Sequence, residues 1–179
     1  MSGGEEVLFS ITRAHLDTGM RGFPVGTCPL SDVDPVKGLS YGGYPIAQLA
    51  ERQPEEVIYL LLNKQLPDAA QLAAFRQELI KNSRLHPEML EKLSALPRHG
   101  HPMKWLMSAI VLMGMYSGTG DYRKDCLQVI AQLPEAVAAI FRIRSGWGEL
   151  IPSKPELGYM ENFAHMLGAP GAGPELIHL

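Results

Sequence analysis

Apolar residues recur at three- and four-residue spacing through most of this chain, and that spacing predicts helices from Pro45 onward. The clearest case is an amphipathic helix of about four turns that carries Leu72, Phe75 and Leu79 on one face. The predicted fold class is therefore mainly α. Pro134 is expected to separate or kink the last long helical stretch. The other predicted helices cover residues 45–51, 54–64, 86–96, 102–118, 121–132, 134–145 and 158–167.

The first 44 residues differ from the rest because glycine, proline and aspartate interrupt them often. Two short β-like pieces stand out, residues 7–11 and residues 38–44, and glycines mark a turn in the second. We therefore expect an N-terminal arm with short strands over 1–44 and a helical portion over 45–179. The last five residues read as the first turn of a helix that is not completed, and truncation at the C-terminus is the simplest expectation.

Composition narrows the class of partner. The chain has 179 residues, of which 46% are apolar and 20% charged, and its formal net charge is −3. Nucleic acids and anionic membranes require clustered Lys and Arg, so neither is a predicted partner. The longest apolar stretch, 105–116, is shorter than the ~20 residues that span a bilayer. Because the N-terminus does not resemble a secretory signal, the predicted localisation is cytoplasmic. A single disulfide between Cys28 and Cys126 is possible, but a buried, reduced thiol is expected at Cys126.

Two predicted helices are unusually apolar. The helix at about 102–116 carries apolar residues on almost every face, with small residues at Ser108, Ala109 and Gly114. The helix at 134–145 contains the run 137–141 with the same property. A helix that is apolar all round is buried on all sides. We therefore predict a homodimer through helices 102–116 and 134–145, with a purely internal core as the alternative.

The residues that most often carry chemistry are scattered. His99 and His101 form an alternating pair, but the intervening Gly100 and the following proline place them in a loop at a helix start, where capping is the better interpretation. No metal site is predicted. The acidic residues do not pair at a spacing suited to acid–base catalysis, so no catalytic residue is predicted. These acidic residues are Asp17, Asp32, Asp34 and Glu161.

Arg21 is the one candidate ligand-binding residue. Glycines lie close to it on both sides, in Gly19-Met20-Arg21-Gly22, so a ligand has room to approach the backbone. A guanidinium can hold a phosphate through two parallel hydrogen bonds. The alternative is an ordinary solvated surface arginine.

Read together, six ordered segments resemble the citrate synthase family, and the resemblance covers about residues 7–179. The match implies a helical large domain of the citrate synthase type, of which this chain is the N-terminal part. It also implies a homodimer and a parent reaction that condenses acetyl-CoA with oxaloacetate. By position, Arg21 matches a family arginine that contacts coenzyme A phosphate. The segments are 19–22, 33–46, 54–67, 101–103, 130–142 and 161–168.

The chain also departs from the family pattern. Gly42 stands where the family's "YRGY" stretch has arginine. The family's histidine-rich oxaloacetate segment, a later histidine and the catalytic aspartate would all lie beyond Leu179. Proton abstraction from a thioester methyl needs a positioned base and a donor for the enolate. The resemblance therefore implies a portion that is not catalytic by itself.

No covalently bound cofactor is predicted, and coenzyme A or acetyl-CoA enters as a substrate of the parent. The sequence leaves alternatives to this interpretation open. A fragment of 2-methylcitrate synthase is one alternative. A naturally short, non-catalytic dimeric binding module is another, and the missing C-terminal part of the parent is a further possible partner.

Overall fold

The computed structural model describes residues 7, 9–19, 21–23 and 26–171. A short 3₁₀ helix, Arg13–Asp17, is followed by a three-stranded antiparallel sheet in the order β1-β2-β3. The strands are β1 Ser31–Asp34, β2 Gly38–Tyr41 and β3 Tyr44–Pro45. The carboxylate of Asp34 accepts the backbone N–H groups of Val36 and Lys37 at 2.7 and 2.8 Å, which closes the turn between β1 and β2.

The strand predicted within 38–44 is present as a hairpin whose turn is Gly42 and Gly43, with φ of +54° and +86°. The strand predicted at 7–11 is wrong for the residues described there. Val7 and Ile11 are exposed and lie outside any strand. An extended segment becomes a strand only by pairing, and the three-stranded sheet does not reach this segment. Strand β1 was missed because its polar residues gave no apolar alternation.

Seven α-helices follow within the described residues, and their bounds agree with the prediction to within a few residues except at one proline. Proline occupies the first turn of α2, α4 and α5, where its missing N–H costs nothing. Asp68 caps α3 by accepting the N–H of Gln71 at 2.8 Å. The helices are α1 Ile46–Leu49, α2 Pro54–Asn63, α3 Ala69–Asn82, α4 Pro87–Ser94, α5 Pro102–Ser117, α6 Tyr122–Ser145 and α7 Tyr159–Leu167.

Helix α6 runs unbroken through Pro134, so of the two predicted effects of this proline, separation into 121–132 and 134–145 is wrong, and a kink stays a prediction. Proline at this position cannot donate to the carbonyl of Ile130, four residues earlier. The hydroxyl of Tyr159 donates to that carbonyl instead, at 2.6 Å. The tertiary contact thus pairs the group that proline leaves free, and the helix continues.

The core is built around α6, which packs against α3, α5 and α7. The largest cluster joins α4, α5 and α6 through residues such as Leu93, Trp105 and Ile140. By length and composition alone, α6 would be long and apolar enough to cross a membrane, unlike the apolar stretch 105–116. However, 44% of that stretch is buried inside the structure, and core helices meet the same criterion, so this is weak evidence for a membrane span.

Two expectations of burial need correction. Cys126 is exposed rather than buried, because it lies in the first turns of α6 beside exposed residues 121–124. Cys28 is exposed as well, and both thiols are free. Helix α5 is not buried on all sides within one chain. Trp105, Ala109 and Met113 face the core, while the opposite side stays open to solvent.

Candidate functional site

Arg21 lies in a tight turn that follows the 3₁₀ helix. Its backbone N–H donates to the carbonyl of Thr18 at 3.4 Å, and the residue is exposed. Gly19 and Gly22 have φ of +59° and +81°, a region that residues with a side chain rarely adopt. The glycines predicted to make room around Arg21 therefore also shape the turn, and the residue itself faces solvent.

An aromatic cluster lies in the same arm. Phe9, His15 and Phe23 contact one another with ring centroids 4.8 to 5.3 Å apart. The N–H of Thr12 donates to Nδ1 of His15 at 2.8 Å. This cluster was not predicted from the sequence, because its three aromatic rings are spread over 15 positions, from residue 9 to residue 23. The cluster packs residues 9, 15 and 23 together in the arm whose turn holds Arg21.

Gly42, the departure from the family pattern, lies in the hairpin turn. Its N–H donates to the carbonyl of Leu30 at 2.8 Å. A Cβ added there would lie 2.9 Å from the tip of Leu60, and its φ of +54° already disfavours a side chain. Glycine therefore suits this turn.

Of the histidines and carboxylates singled out from the sequence, His101, Asp34 and Glu161 have local structural roles. Nδ1 of His101 accepts the N–H of Met103 at 3.2 Å, which confirms the capping interpretation. Glu161 accepts the N–H of Gly158 at 3.1 Å at the start of α7. The two hydrogen bonds that Asp34 accepts lower its pKa. Within the described ranges, no three His, Cys, Asp or Glu side chains come together in a group that could hold a metal ion.

Sequence reasoning missed a set of polar groups around a cavity of about 70 Å³ between α3, α6 and α7. Glu55, only 3% exposed, accepts from Nε of Arg76 at 3.3 Å and from the N–H of Tyr159 at 3.4 Å. Burial, and secondly the Glu55 charge, raises the pKa of Tyr159 to about 12. Glu135 accepts the N–H of Leu85 at 2.7 Å, yet burial raises the pKa of its carboxyl group.

Arg142 is the other missed residue, and it is 6% exposed. Its guanidinium donates to four backbone carbonyls at 2.7 to 3.3 Å, so the loop after α6 and the end of α7 are tied together. Gly168 fits against it, because an added Cβ would lie 2.8 Å from Nη1 of Arg142. One signal was available in the sequence: Arg142 directly follows the apolar run 137–141. The four carbonyls belong to Trp147, Glu149, Leu167 and Gly168.

The open side of α5 is an apolar surface. It presents Met103, Met107, Ile110, Val111 and Met115, which are between 42% and 77% exposed. At 100° per residue these positions occupy one arc of about 140°. On this helix the only charged side chain is that of Lys104. A patch of this kind is typical of an interaction surface.

These features define a mainly helical domain, organised on one long proline-containing helix, with a small β arm and an exposed arginine turn. The family model described as "Citrate synthase, C-terminal domain" matches residues 19–178. The chain belongs to the citrate synthase family.

Three comparisons illustrate the relationship. The 2-methylcitrate synthase of Mycobacterium tuberculosis is 36% identical over 160 residues, covering 86% of this chain and 40% of that protein. The citrate synthase of Mycolicibacterium smegmatis is 36% identical over 161 residues, covering 85% and 42%. The structure of citrate synthase from Pyrobaculum aerophilum superposes with a TM-score of 0.76 at 26% identity, covering 88% and 43%. The chain thus spans about two-fifths of the length of these relatives.

Proposed function

We propose that this chain is the N-terminal portion of the large domain of a citrate synthase, whose parent reaction condenses acetyl-CoA with oxaloacetate to give citrate and CoA. The observation that carries the proposal is the family match over residues 19–178 of a chain that spans about two-fifths of its relatives. Propionyl-CoA is the alternative acyl donor, since a 2-methylcitrate synthase is among the relatives.

The portion is not catalytic by itself in this proposal. The condensation needs a base at the thioester methyl group and donors for the enolate and the ketone, all within hydrogen-bond reach of one pocket. Across the described residues, no hydrogen bond joins a histidine to a carboxylate. Removing such a constellation abolishes turnover, because a phosphate contact alone moves no proton.

An assay of thiol release tests this part. The purified chain is mixed with acetyl-CoA and oxaloacetate, and then with propionyl-CoA and oxaloacetate. We expect no thiol release above buffer with either donor. Release in proportion to chain concentration would contradict the proposal. Sequencing the gene past codon 179 supplies the second test: an in-frame continuation with the histidine segments supports it, whereas a stop codon favours the short, non-catalytic dimeric module.

Arg21 is proposed to contact a phosphate of coenzyme A. Its exposure and the glycine-shaped turn support this role, and a charge-assisted hydrogen bond contributes about 1.5–3 kcal/mol. We expect Arg21→Ala to weaken CoA binding to the chain by about tenfold or more in calorimetric titration. Arg13→Ala is the matched control, an exposed arginine in the same arm, and should bind like the unmodified chain. Equal affinity of the two variants would overturn the assignment.

Pairing of two copies through α5 and α6 is the remaining proposal. The exposed apolar arc of α5 supports it, and so does Gly114 within that arc, where an added Cβ meets no atom within 4 Å and a second backbone could approach. We expect Val111→Lys to yield monomers in sedimentation velocity. Val36→Lys is the control, because Val36 is also an exposed valine but lies in the β arm. Dimers of the Val111 variant, or a monomeric unmodified chain, would refute the pairing.

A further inference from the structure

Methionine is distributed unevenly between the core and the surface. Among the described residues, Met89, Met113 and Met166 are at most 4% exposed, and Met160 is half-buried. The exposed methionines of the described ranges all lie on α5: Met103 at 55%, Met107 at 65% and Met115 at 77%. Among the described residues, exposed methionine sulfur thus lies on the one arc proposed to pair.

The thioether is the most readily oxidised group on that arc. In reaction with a peroxide, the methionine sulfur attacks one peroxide oxygen, an S–O bond forms, the O–O bond breaks, and water or an alcohol leaves. Sulfur is oxidised and the peroxide is reduced. The product, a sulfoxide, is polar and accepts hydrogen bonds, so it disrupts methionine-rich interfaces.

The arc offers little to satisfy a sulfoxide. Its other members are mainly aliphatic, and Lys104, which falls within the same arc, carries the only charged side chain on α5. Ser108 already donates its hydroxyl to the carbonyl of Lys104 at 2.9 Å. Burying three sulfoxide oxygens beside a single ammonium group would leave some of them without a donor, and each such oxygen would cost free energy.

We propose that Met103, Met107 and Met115 make the α5 surface a peroxide-sensitive pairing surface, so that oxidation of the unpaired chain to the sulfoxides blocks association. This inference rests on the proposed pairing of two copies. It adds regulation by oxidants to that surface, and sulfoxide reduction would restore association.

The experiment uses the full chain with Cys28→Ser and Cys126→Ser, because both exposed thiols also react with peroxide. Dilute chain is treated with hydrogen peroxide, quenched, mapped by peptide mass spectrometry and then concentrated for sedimentation equilibrium. We expect oxygen addition at Met103, Met107 and Met115 before Met89, Met113 and Met166. We also expect the dimer dissociation constant to rise at least about tenfold and to recover after treatment with methionine sulfoxide reductases.

The matched variant replaces the three exposed methionines by leucine, which has a similar volume and cannot be oxidised. It should form dimers whose dissociation constant does not respond to peroxide. If it forms dimers that peroxide still separates, the redox inference is wrong and the pairing stands. If the untreated parent chain is monomeric throughout the concentration range, the pairing itself fails and the inference fails with it.

Discussion

The hydroxyl of Tyr159 in α7 lies 2.6 Å from the carbonyl oxygen of Ile130 in α6 and donates to it. Ile130 is four residues before Pro134, so this is the carbonyl that the proline ring leaves without its helical partner. The Tyr159 hydroxyl therefore replaces the missing helical hydrogen bond and joins α7 to α6. The contact explains how a 24-residue helix tolerates an internal proline.

Tyr159→Phe should lower the free energy of unfolding by about 1–3 kcal/mol, because it leaves the Ile130 carbonyl without a donor. Pro134→Ala supplies the control, since its backbone N–H can then donate to the same carbonyl. In the Pro134→Ala background, Tyr159→Phe should lower the free energy of unfolding by clearly less. A double-mutant cycle by urea denaturation measures the coupling. Additive effects of the two substitutions would show that the tyrosine hydroxyl does not replace the missing helical bond.

The raised pKa of Tyr159 predicts that the free energy of unfolding depends on pH in alkaline solution. Burial, together with the neighbouring Glu55 charge, raises the pKa of the Tyr159 phenol from its ordinary value of 10.0 to about 12. Between those values the folded chain retains a proton that the unfolded chain has lost, so stability falls as pH rises through that window. Below it, Tyr159 makes no pH-dependent contribution. Urea denaturation at several alkaline pH values should show that the free energy of unfolding falls as pH rises. In Tyr159→Phe the part of this fall that is due to Tyr159 should be absent. An identical decline in the variant would contradict the assignment.

Helix bounds could be predicted well because they depend on local signals. Prolines at first turns and the spacing of apolar residues fix where α2 to α5 begin and which face is buried. The course of α6 through Pro134 could not be predicted, since the compensating donor, Tyr159, lies 29 residues from Ile130 in sequence. The same reason explains the error at residues 7–11: strand formation depends on a partner, and a single sequence segment does not reveal one.

In the candidate site as well, residues placed by local sequence could be predicted and residues placed by distant contacts could not. Arg21 stood out because glycines flank it, and a purely local turn places it in solvent. Glu55, Glu135 and Arg142 were not found, because their burial results from packing between α2, α3, α6 and α7. A charged residue embedded in or adjoining an apolar helical pattern was the available signal. It gives no indication of the partner.

Glu135 should make stability fall as the solution becomes less acidic. Burial raises the pKa of its carboxyl group above the usual range, so between the ordinary and the raised value the folded chain holds a proton that the unfolded chain has released. The favourable contribution is complete below the ordinary carboxyl pKa and is lost as pH rises through the raised one. Glu135→Gln keeps an acceptor for the N–H of Leu85 and should remove this dependence. Melting curves across that range check it, with Glu91→Gln, an exposed glutamate of α4, as the control.

Arg142 should be among the costliest side chains to remove. It donates to four carbonyls without a carboxylate partner among the described residues, and each carbonyl left unpaired in a buried site costs about 1–3 kcal/mol. We therefore expect Arg142→Met to lower the free energy of unfolding by more than about 3 kcal/mol, although methionine has a similar length and fills the buried space with apolar atoms. Arg142→Lys should recover part of this loss, since an ammonium group cannot reproduce the planar fork.

Arg123→Met is the matched control for Arg142. It removes an arginine from the same helix that is exposed and donates to one carbonyl, that of Leu62, at 3.2 Å. Its cost should stay below about 1 kcal/mol. Hydrogen exchange supplies a readout specific to position: the methionine variant should lose protection first in residues 147–151 and at the end of α7, which Arg142 joins. Uniform loss of protection along the chain, or equal costs at positions 142 and 123, would mean that the guanidinium does not hold these two segments together.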